Sequence, residues 1–321
     1  MIKVTNNVKN FFASFREATV FLIIVVLCII TSMLSPAFLT WSNIKTTMLG
    51  LCSNGLMTIG MTIVLISGGM DLSVGSVMAS ASVICGICIV SGVPVVIAII
   101  LAIIVGILFG LLNALLIAKT TIAPMIITLG TMQIGRGLAL VLTSGTPQSV
   151  ATAPEAFLFL GKGQIGEVPF LILFFIVVAI VFDILLRKST AMRKIYYIGS
   201  NEDSARLSGI NVVKTKLSVY ALSGALAGVA GVLTTARFST ATPTTGLGAE
   251  MICISAAVIG GASTAGGEGT VLGSVLGIIM VNIINNALVL LNVSVYWQDL
   301  ISGVILILAV LFDYLSHRKK L

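Results

Sequence analysis

The sequence has very little charge: only 9% of its residues are Asp, Glu, Lys or Arg, whereas 58% are hydrophobic. Its mean hydropathy is +1.16. A water-soluble domain of this composition would expose apolar surface that its few polar residues could not cover. Because a membrane span needs about 20 apolar residues, the 321 residues are enough for about ten spans. We therefore predict an all-α polytopic membrane protein whose residues 1–321 form a single transmembrane domain.

Side chains that catalysis and metal binding usually require are scarce. The sequence contains one histidine, His317, and five cysteines, all of which lie in apolar stretches. Cys85 and Cys88 form a C-x-x-C pair, a pattern that can bind metal or perform redox chemistry. Here the pair lies within a predicted span and has no histidine or acid nearby, so we interpret it as helix packing. The sequence predicts no catalytic residue and no metal site.

Signatures of energy coupling are also missing. The sequence has no complete G-x-x-x-x-G-K-[ST] nucleotide-binding loop, and the nearest string is Gly161-Lys162-Gly163. It also lacks the set of acids within the spans that a proton-coupled carrier would usually need. If the protein transports a solute actively, a separate subunit must therefore supply the energy.

The apolar runs divide the chain into ten predicted spans with short connections. Their approximate bounds are 18–35, 47–67, 74–92, 94–118, 123–143, 169–187, 217–236, 249–265, 270–291 and 295–315. With the N-terminus inside, fourteen basic residues lie in cytoplasmic segments and only three (Lys45, Lys162 and Arg237) lie outside. Since cytoplasmic loops carry the excess of Lys and Arg, we predict that both termini are cytoplasmic. The net charge of +7 then reflects membrane orientation and not nucleic-acid binding.

Two segments outside the spans have a pattern of their own. In residues 1–17, four apolar side chains share one helical face, which predicts an interfacial segment on the cytoplasmic surface; they are Val8, Phe11, Phe12 and Phe15. The external loop, about 144–168, is long enough to pack as an extracytoplasmic cap. Within the spans, glycines are often four residues apart, as at Gly106 and Gly110, and this spacing lets helices approach closely in lipid.

The turn between the second and third predicted spans, residues 67–76, is rich in glycine and carries Asp71. A carboxylate at this depth costs several kcal/mol unless it is paired or solvated. In one interpretation, Asp71 accepts hydrogen bonds from free N–H groups at the start of the third span and meets the positive end of the helix dipole. In the other, this irregular turn lines a transport pathway.

The internal loop, residues 188–216, is the most charged segment of the chain. Ser200 followed by Asp203 matches a capping box, and Gly209 is placed to end a helix, so we predict a two-turn helix over 201–208. The preceding apolar residues, 195–198, would seat this helix against the membrane domain. One interpretation is that the helix enters a groove of a partner protein, and the other is that it is a solvated amphipathic connector.

Polar side chains follow helical spacing on the faces of two spans. They are Asn54, Thr58, Met61, Thr62 and Leu65 in the second span, and Ser274, Ile278, Asn282, Asn285 and Asn286 in the ninth. Amides suit hydroxyl-rich solutes, but hydrogen bonds between helices explain them equally well. Arg136, within the fifth span, is interpreted as a paired or snorkelling side chain, with substrate contact as the alternative.

Three strings, taken together, resemble the permease subunits of the ribose/xylose/galactose class of bacterial ATP-binding-cassette sugar importers, and more distantly the branched-chain amino-acid permeases. They are Gly60-Met61-Thr62 through Gly69–Gly75, Gly199–Glu202 through Ala205–Ile210, and Val258–Ser263 through Gly266–Gly273. The likeness runs in consistent order from about residue 18 to 315. Within the sugar class it is greatest to the ribose permeases, and it includes the stretch from Asn285–Leu288 through Val293–Gln298.

This resemblance implies a type-II-like permease of the bacterial inner membrane that works as a pair of copies. The implied partners are a second permease copy, a cytoplasmic ATPase and an extracytoplasmic sugar-binding protein. The chain itself would hold no cofactor, because ATP and Mg²⁺ bind to the ATPase. The segment that docks on the ATPase would be the coupling helix, with Gly199, Asn201, Glu202, Ala205, Arg206 and Gly209 as coupling residues. The candidate pathway residues are Asn54, Met61, Asp71, Asn282 and Asn285.

Other functions remain open at the level of the sequence. Within the transporter class, the alternative substrate is a branched-chain amino acid. A stand-alone channel or secondary carrier is a second alternative, although the long capped loop and the lack of intramembrane acids disfavour it. A membrane-embedded enzyme is the third alternative, and it is disfavoured because the sequence shows no nucleophile–base pair and no set of metal ligands.

Overall fold

The computed structural model describes residues 16–318, which form thirteen helices and four two-residue strands. Most of the predicted interfacial segment, residues 1–17, lies outside the described residues. The helices are α1 (Arg16–Leu34), α2 (Trp41–Ile66), α3 (Val74–Val90), α4 (Val95–Lys119), α5 (Pro124–Thr143), α6 (Glu155–Lys162), α7 (Phe170–Lys188), α8 (Thr190–Ser200), α9 (Glu202–Leu207), α10 (Val212–Phe238), α11 (Ala249–Ile259), α12 (Val271–Leu290) and α13 (Val295–Arg318). The strands are β1 (Gln148–Ser149), β2 (Gln164–Ile165), β3 (Val168–Pro169) and β4 (Thr240–Ala241).

Seven of these helices (α1, α2, α4, α5, α7, α10 and α12) are long and apolar enough to cross a membrane. Three shorter apolar stretches, Val74–Val90, Ala249–Ile259 and Tyr296–Leu311, coincide with the other predicted spans. Each predicted span therefore contains helix, seven of these helices are long enough to cross a membrane, and the chain is a multi-pass helical membrane protein.

The eighth predicted span, 249–265, is helical only as far as Ile259. Eleven residues extend about 16 Å, which is roughly half the thickness of the hydrocarbon core. The helix ends early because glycines follow it, and several of them have positive φ angles, such as 97° at Gly261 and 88° at Gly266. The prediction of a continuous helix over this range was wrong: residues 260–270 form a loop.

The long helix α10 lies at the centre of the bundle and packs most closely on α4. Gly224 of α10 faces Gly106 of α4 so closely that a Cβ on Gly106 would lie 3.2 Å from the Cα of Gly228 and still nearer to the Gly224 carbonyl. A Cβ on Gly110 would lie 2.9 Å from the Cα of Ala221. The glycines spaced by four therefore serve the close helix packing that the sequence predicts.

The loops meet in two groups at opposite ends of the bundle. In one group, β1 pairs antiparallel with β4, so that Gln148 lies opposite Ala241, and α6 buries Phe157 against the end of α10. The predicted loop cap is thus a packed element, and β2 and β3 form a small hairpin within it. The other group contains the turn after α2, the α8–α9 segment and the loop after α11, and it carries the candidate site.

Candidate functional site

Three glycine-rich segments that are far apart in the sequence meet in one place, which we call the glycine junction (residues 66–69, 199–200 and 265–267). The Gly267 N–H donates to the Ile66 carbonyl over 2.9 Å, which joins the loop after α11 to the end of α2. A Cβ on Gly266 would lie 2.9 Å from the Cα of Gly68. A Cβ on Gly199 would lie 2.6 Å from the Gly267 nitrogen and nearer still to the Ile66 carbonyl oxygen. Only glycine therefore fits at position 199.

Helix α8 holds the junction from the side. Ile195 and Ile198 are buried, and the Tyr196 hydroxyl donates to the Gly269 carbonyl over 2.8 Å. Burial raises the pKa of the Tyr196 phenol above its usual value, so it stays a donor at neutral pH. The residues 195–198 thus seat the segment as predicted, except for Tyr197, which is exposed.

The predicted helix at 201–208 is present as α9, with a different cap. The N-cap is Asn201, whose side-chain oxygen accepts from the Ser204 N–H over 2.8 Å. Ser200 does not cap it, because Ser200 is the last residue of α8. Ala205 is buried against α8 and α10, and Gly209 has the φ angle of +80° that ends the helix as predicted.

Glu202, whose side chain is 39% exposed, makes two ion pairs, one with a largely enclosed lysine and one with an exposed arginine. One oxygen of Glu202 lies 2.6 Å from the Lys216 ammonium, and the Lys216 side chain is only 15% exposed. The other oxygen lies 3.1 Å from Arg206, which is 65% exposed. Sequence reasoning missed Lys216, because 14 residues and a turn separate it from Glu202. At the tip of α9, Leu207 is 90% exposed.

A cleft of about 250 Å³ lies beside the junction. Its walls include Gly68 from the turn after α2, Asn201 from the start of α9, Pro124 from α5, and Lys216 and Tyr220 from α10. The cleft thus lies between the α8–α9 segment and the ends of α4, α5 and α10, and Glu202 and Lys216, which form an ion pair, are both in its wall.

Acids from three helices hold the loop after α11 in place. Thr270 caps α12 and donates its hydroxyl to Glu17 over 2.6 Å, while the Leu272 N–H donates to Asp183 over 3.2 Å. Asp313 accepts from the Thr264 hydroxyl over 3.1 Å. Free N–H groups at a helix start attract carboxylates, as Asp183 does at Leu272. Together the three contacts hold the loop after α11 and the start of α12 against α1, α7 and α13.

Asp71 is 1% exposed and lies in a closed network of hydrogen bonds. Its carboxylate accepts from the Ser73 N–H at 3.1 Å, from the Ser73 hydroxyl at 2.6 Å and from the Ser223 hydroxyl at 3.0 Å. Asn113 donates to Ser73 at 2.9 Å and accepts from Thr131 at 2.6 Å. This geometry favours the structural interpretation of Asp71. Asn113 was missed, although a lone amide in an apolar run was a usable signal.

The amides on the polar face of α12 are largely occupied by α2. Asn282 donates to the Thr47 carbonyl over 2.6 Å. Asn286 and Asn43 exchange two hydrogen bonds of 2.9 and 3.0 Å. Hydrogen bonds between helices therefore account for these two asparagines, which favours packing over contact with a solute.

The remaining candidate pathway residues differ in their surroundings. Asn54 and Asn285 are half-buried, and within residues 16–318 their side-chain amides make no hydrogen bond. Met61 is fully buried. Their assignment to the pathway stays a prediction.

Arg136 binds the irregular segment that precedes α11. Its guanidinium donates to the Pro243 carbonyl over 2.7 Å and to the Thr245 carbonyl over 2.9 Å. The pairing predicted for this arginine is therefore with backbone carbonyls. Within the described part of the chain, no group of three or more His, Cys, Asp or Glu residues could hold a metal ion.

Comparison with known proteins gives consistent results. Residues 43–310 match the family model described as the permease component of the branched-chain amino acid transport system. The chain is similar to the ribose import permease protein RbsC of Bacillus subtilis (strain 168), with 41% identity over 94% of this chain and 92% of that protein. It is 37% identical to RbsC of Escherichia coli (strain K12), over 90% of this chain and 91% of that protein. It is also 39% identical to the L-arabinose transport system permease protein AraH of the same strain, over 92% of this chain and 89% of that protein.

Proposed function

From the premise that this chain belongs to the family of branched-chain amino acid transport system permease components, we propose that it is the membrane-spanning permease subunit of an ATP-driven sugar importer. The observation that carries the proposal is the similarity along nearly the whole chain to permeases named for ribose and L-arabinose. The family description mentions amino acids, but these relatives, at 37–41% identity, are named for pentoses. A ribose-like monosaccharide is therefore the proposed solute.

The proposed topology has ten crossings in the bacterial inner membrane and both termini in the cytoplasm. Two observations support it. In this topology the turn after α2, the α8–α9 segment and the loop after α11 all lie on one side of the membrane, and in the structure they contact each other. These segments lie on the side of the bundle that carries the excess of Lys and Arg, and such an excess is typical of the cytoplasmic side. The short helix α11 would cross together with the loop that continues it.

The ATPase would dock on α9, and ATP with Mg²⁺ would bind there and not on this chain. This proposal is supported by the tip of α9, where the side chains of Arg206 and Leu207 are exposed. An exposed apolar side chain next to an exposed cation suits a groove on a partner protein. The glycine junction would then pass motion of α9 to the ends of α2 and α12.

A second copy of this chain would complete the pathway, and an extracytoplasmic binding protein would deliver the sugar. The surface of α5 supports the second copy. Gln133 is exposed near the middle of this span, and the Cβ positions of Gly130 and Gly137 on either side have open space. An amide that faces lipid is costly, so this face suits a protein neighbour, and small residues allow close approach.

Sugar uptake in the cell that encodes the protein tests the proposal. Cells that lack the gene and cells that carry it on a plasmid are given radiolabelled D-ribose, L-arabinose or L-leucine. We expect gene-dependent uptake of a pentose that stops when ATP is depleted and continues when the proton gradient is collapsed. Gene-dependent uptake of leucine would favour the amino-acid alternative. Pentose uptake that persists without ATP would favour a secondary carrier.

A further inference from the structure

The helix α9 is attached to the rest of the chain in two directions. Through Gly199, just before it, the backbone lies against the end of α2 with no room for a side chain. Through Glu202, in its first turn, it makes an ion pair of 2.6 Å with Lys216 in the second turn of α10. The first attachment is a backbone contact, whereas the second joins two side chains and depends on their charges.

The two partners of Glu202 are not equivalent. Arg206 lies on α9 itself, four residues further on, so this pair cannot join α9 to another helix. Lys216 belongs to a different helix and is 15% exposed, compared with 65% for Arg206. A partly enclosed pair is screened less by solvent than an exposed one. Lys216 therefore makes the charged contact between α9 and the bundle.

The helix that receives this contact is the central one of the fold. It runs over Val212–Phe238, and beyond Lys216 it packs on α4 through Gly106 and Gly224. Near its other end, the hydroxyl of Thr234 pairs with Ser53 of α2 at 2.8 Å, and the hydroxyl of Thr235 pairs with Ser82 of α3 at 2.7 Å. A displacement of the Lys216 end would thus reach α2, α3 and α4 together.

We propose that the Glu202–Lys216 ion pair is the link that carries movement of α9 into α10, with Lys216 as the positioning residue on the bundle side. The inference rests on the proposed function, in which an ATPase moves α9. It assigns two outputs to that movement: the backbone contact at Gly199 leads to α2, and the ion pair leads to α10. Breaking the ion pair should leave ATP hydrolysis in place but reduce the sugar moved for each ATP consumed.

The test compares Lys216→Glu, Glu202→Lys and the double exchange in the complex purified with its ATPase and reconstituted with the binding protein. The readout is D-ribose or L-arabinose transported per ATP hydrolysed. Lys214→Glu is the matched control, because Lys214 is exposed on the same helix and makes no ion pair among the described residues. Lys216→Gln removes the charge without reversing it, in case the reversal prevents assembly.

We expect Lys216→Glu and Lys216→Gln to lower the transport ratio about fivefold or more, the range of a coupling interaction, while the ATPase still co-purifies. The double exchange should restore most of the ratio, and Lys214→Glu should leave it unchanged. An unchanged ratio in both Lys216 variants, whatever the yield of the complex, would overturn the inference, as would an equal loss of the ratio in Lys214→Glu. A wild-type complex without ATP-driven pentose transport would instead refute the proposed function.

Discussion

Replacing Gly199 by alanine should damage the glycine junction more than any other single-methyl change in the α8–α9 segment. The added Cβ would lie 2.6 Å from the Gly267 nitrogen and closer to the Ile66 oxygen, and both atoms belong to backbone that cannot rotate away. Forcing an extra carbon into packed structure costs about 1–3 kcal/mol. Losing the hydrogen bond of 2.9 Å between the same two groups adds about 1 kcal/mol.

A cost of about 2–4 kcal/mol would shift the balance between a closed and an open junction by roughly thirtyfold or more, since each 1.4 kcal/mol is about a factor of ten. The strain lies at the surface end of the bundle, so we expect the helices to assemble but the α8–α9 segment to loosen. Gly199→Ala should therefore lower pentose uptake at least tenfold and speed proteolytic cleavage within residues 189–211, while the variant still inserts in the membrane.

The control for this variant is Gly303→Ala in α13, where the added Cβ would have no atom within 4 Å. Alanine favours a helix over glycine by roughly 1 kcal/mol, so this variant should insert and transport like the wild type. If Gly199→Ala also transports at the wild-type rate and resists protease equally well, the close contact at the junction does not matter for coupling, and the reasoning is refuted.

Three further variants test other parts of the site. Arg206→Glu should prevent co-purification of the ATPase while membrane insertion stays normal, and normal uptake would contradict docking on α9. Asp71→Asn places an amide donor against the hydroxyls of Ser73 and Ser223 and should cost about 1–3 kcal/mol, seen as a lower melting temperature in detergent. Lost uptake with an unchanged melting temperature would instead assign Asp71 to the pathway. Asn282→Leu removes the hydrogen bond to Thr47 and should cost about 0.6–1.7 kcal/mol with uptake retained in the assembled protein, whereas uptake lost at full stability would place it in the pathway.

The sequence was sufficient to predict most of the helices, because a membrane allows only long apolar runs to cross it. Where a helix would stop was less predictable. The predicted span 249–265 ends at Ile259, since the glycines after it adopt positive φ angles that hydropathy does not register. Of helix α8, only the apolar residues 195–198 were predicted to pack on the membrane domain. The helix itself was missed because its 11 residues lie within a charged loop and mix apolar with basic side chains.

The site was predicted in its parts and not in its assembly. A capping pattern is local, so α9 and its end at Gly209 could be predicted, although the cap lies one residue later, at Asn201. The convergence of Gly199 with Gly267 and the pairing of Glu202 with Lys216 depend on how distant helices pack, which no local pattern contains. The three strings of the family resemblance lie far apart in the sequence, and the structure brings parts of all three together at the glycine junction.

Purifying the tagged chain from its own membrane in mild detergent, and identifying what accompanies it, tests the central claim most directly. The account predicts a stoichiometric ATPase subunit whose hydrolysis rises when a pentose and its extracytoplasmic binding protein are added. The Arg206→Glu variant, prepared in parallel, should lose that subunit. A chain that is pure and folded but carries no ATPase, under conditions shown to preserve such complexes, would contradict the claim that it is the permease subunit of an ATP-driven importer.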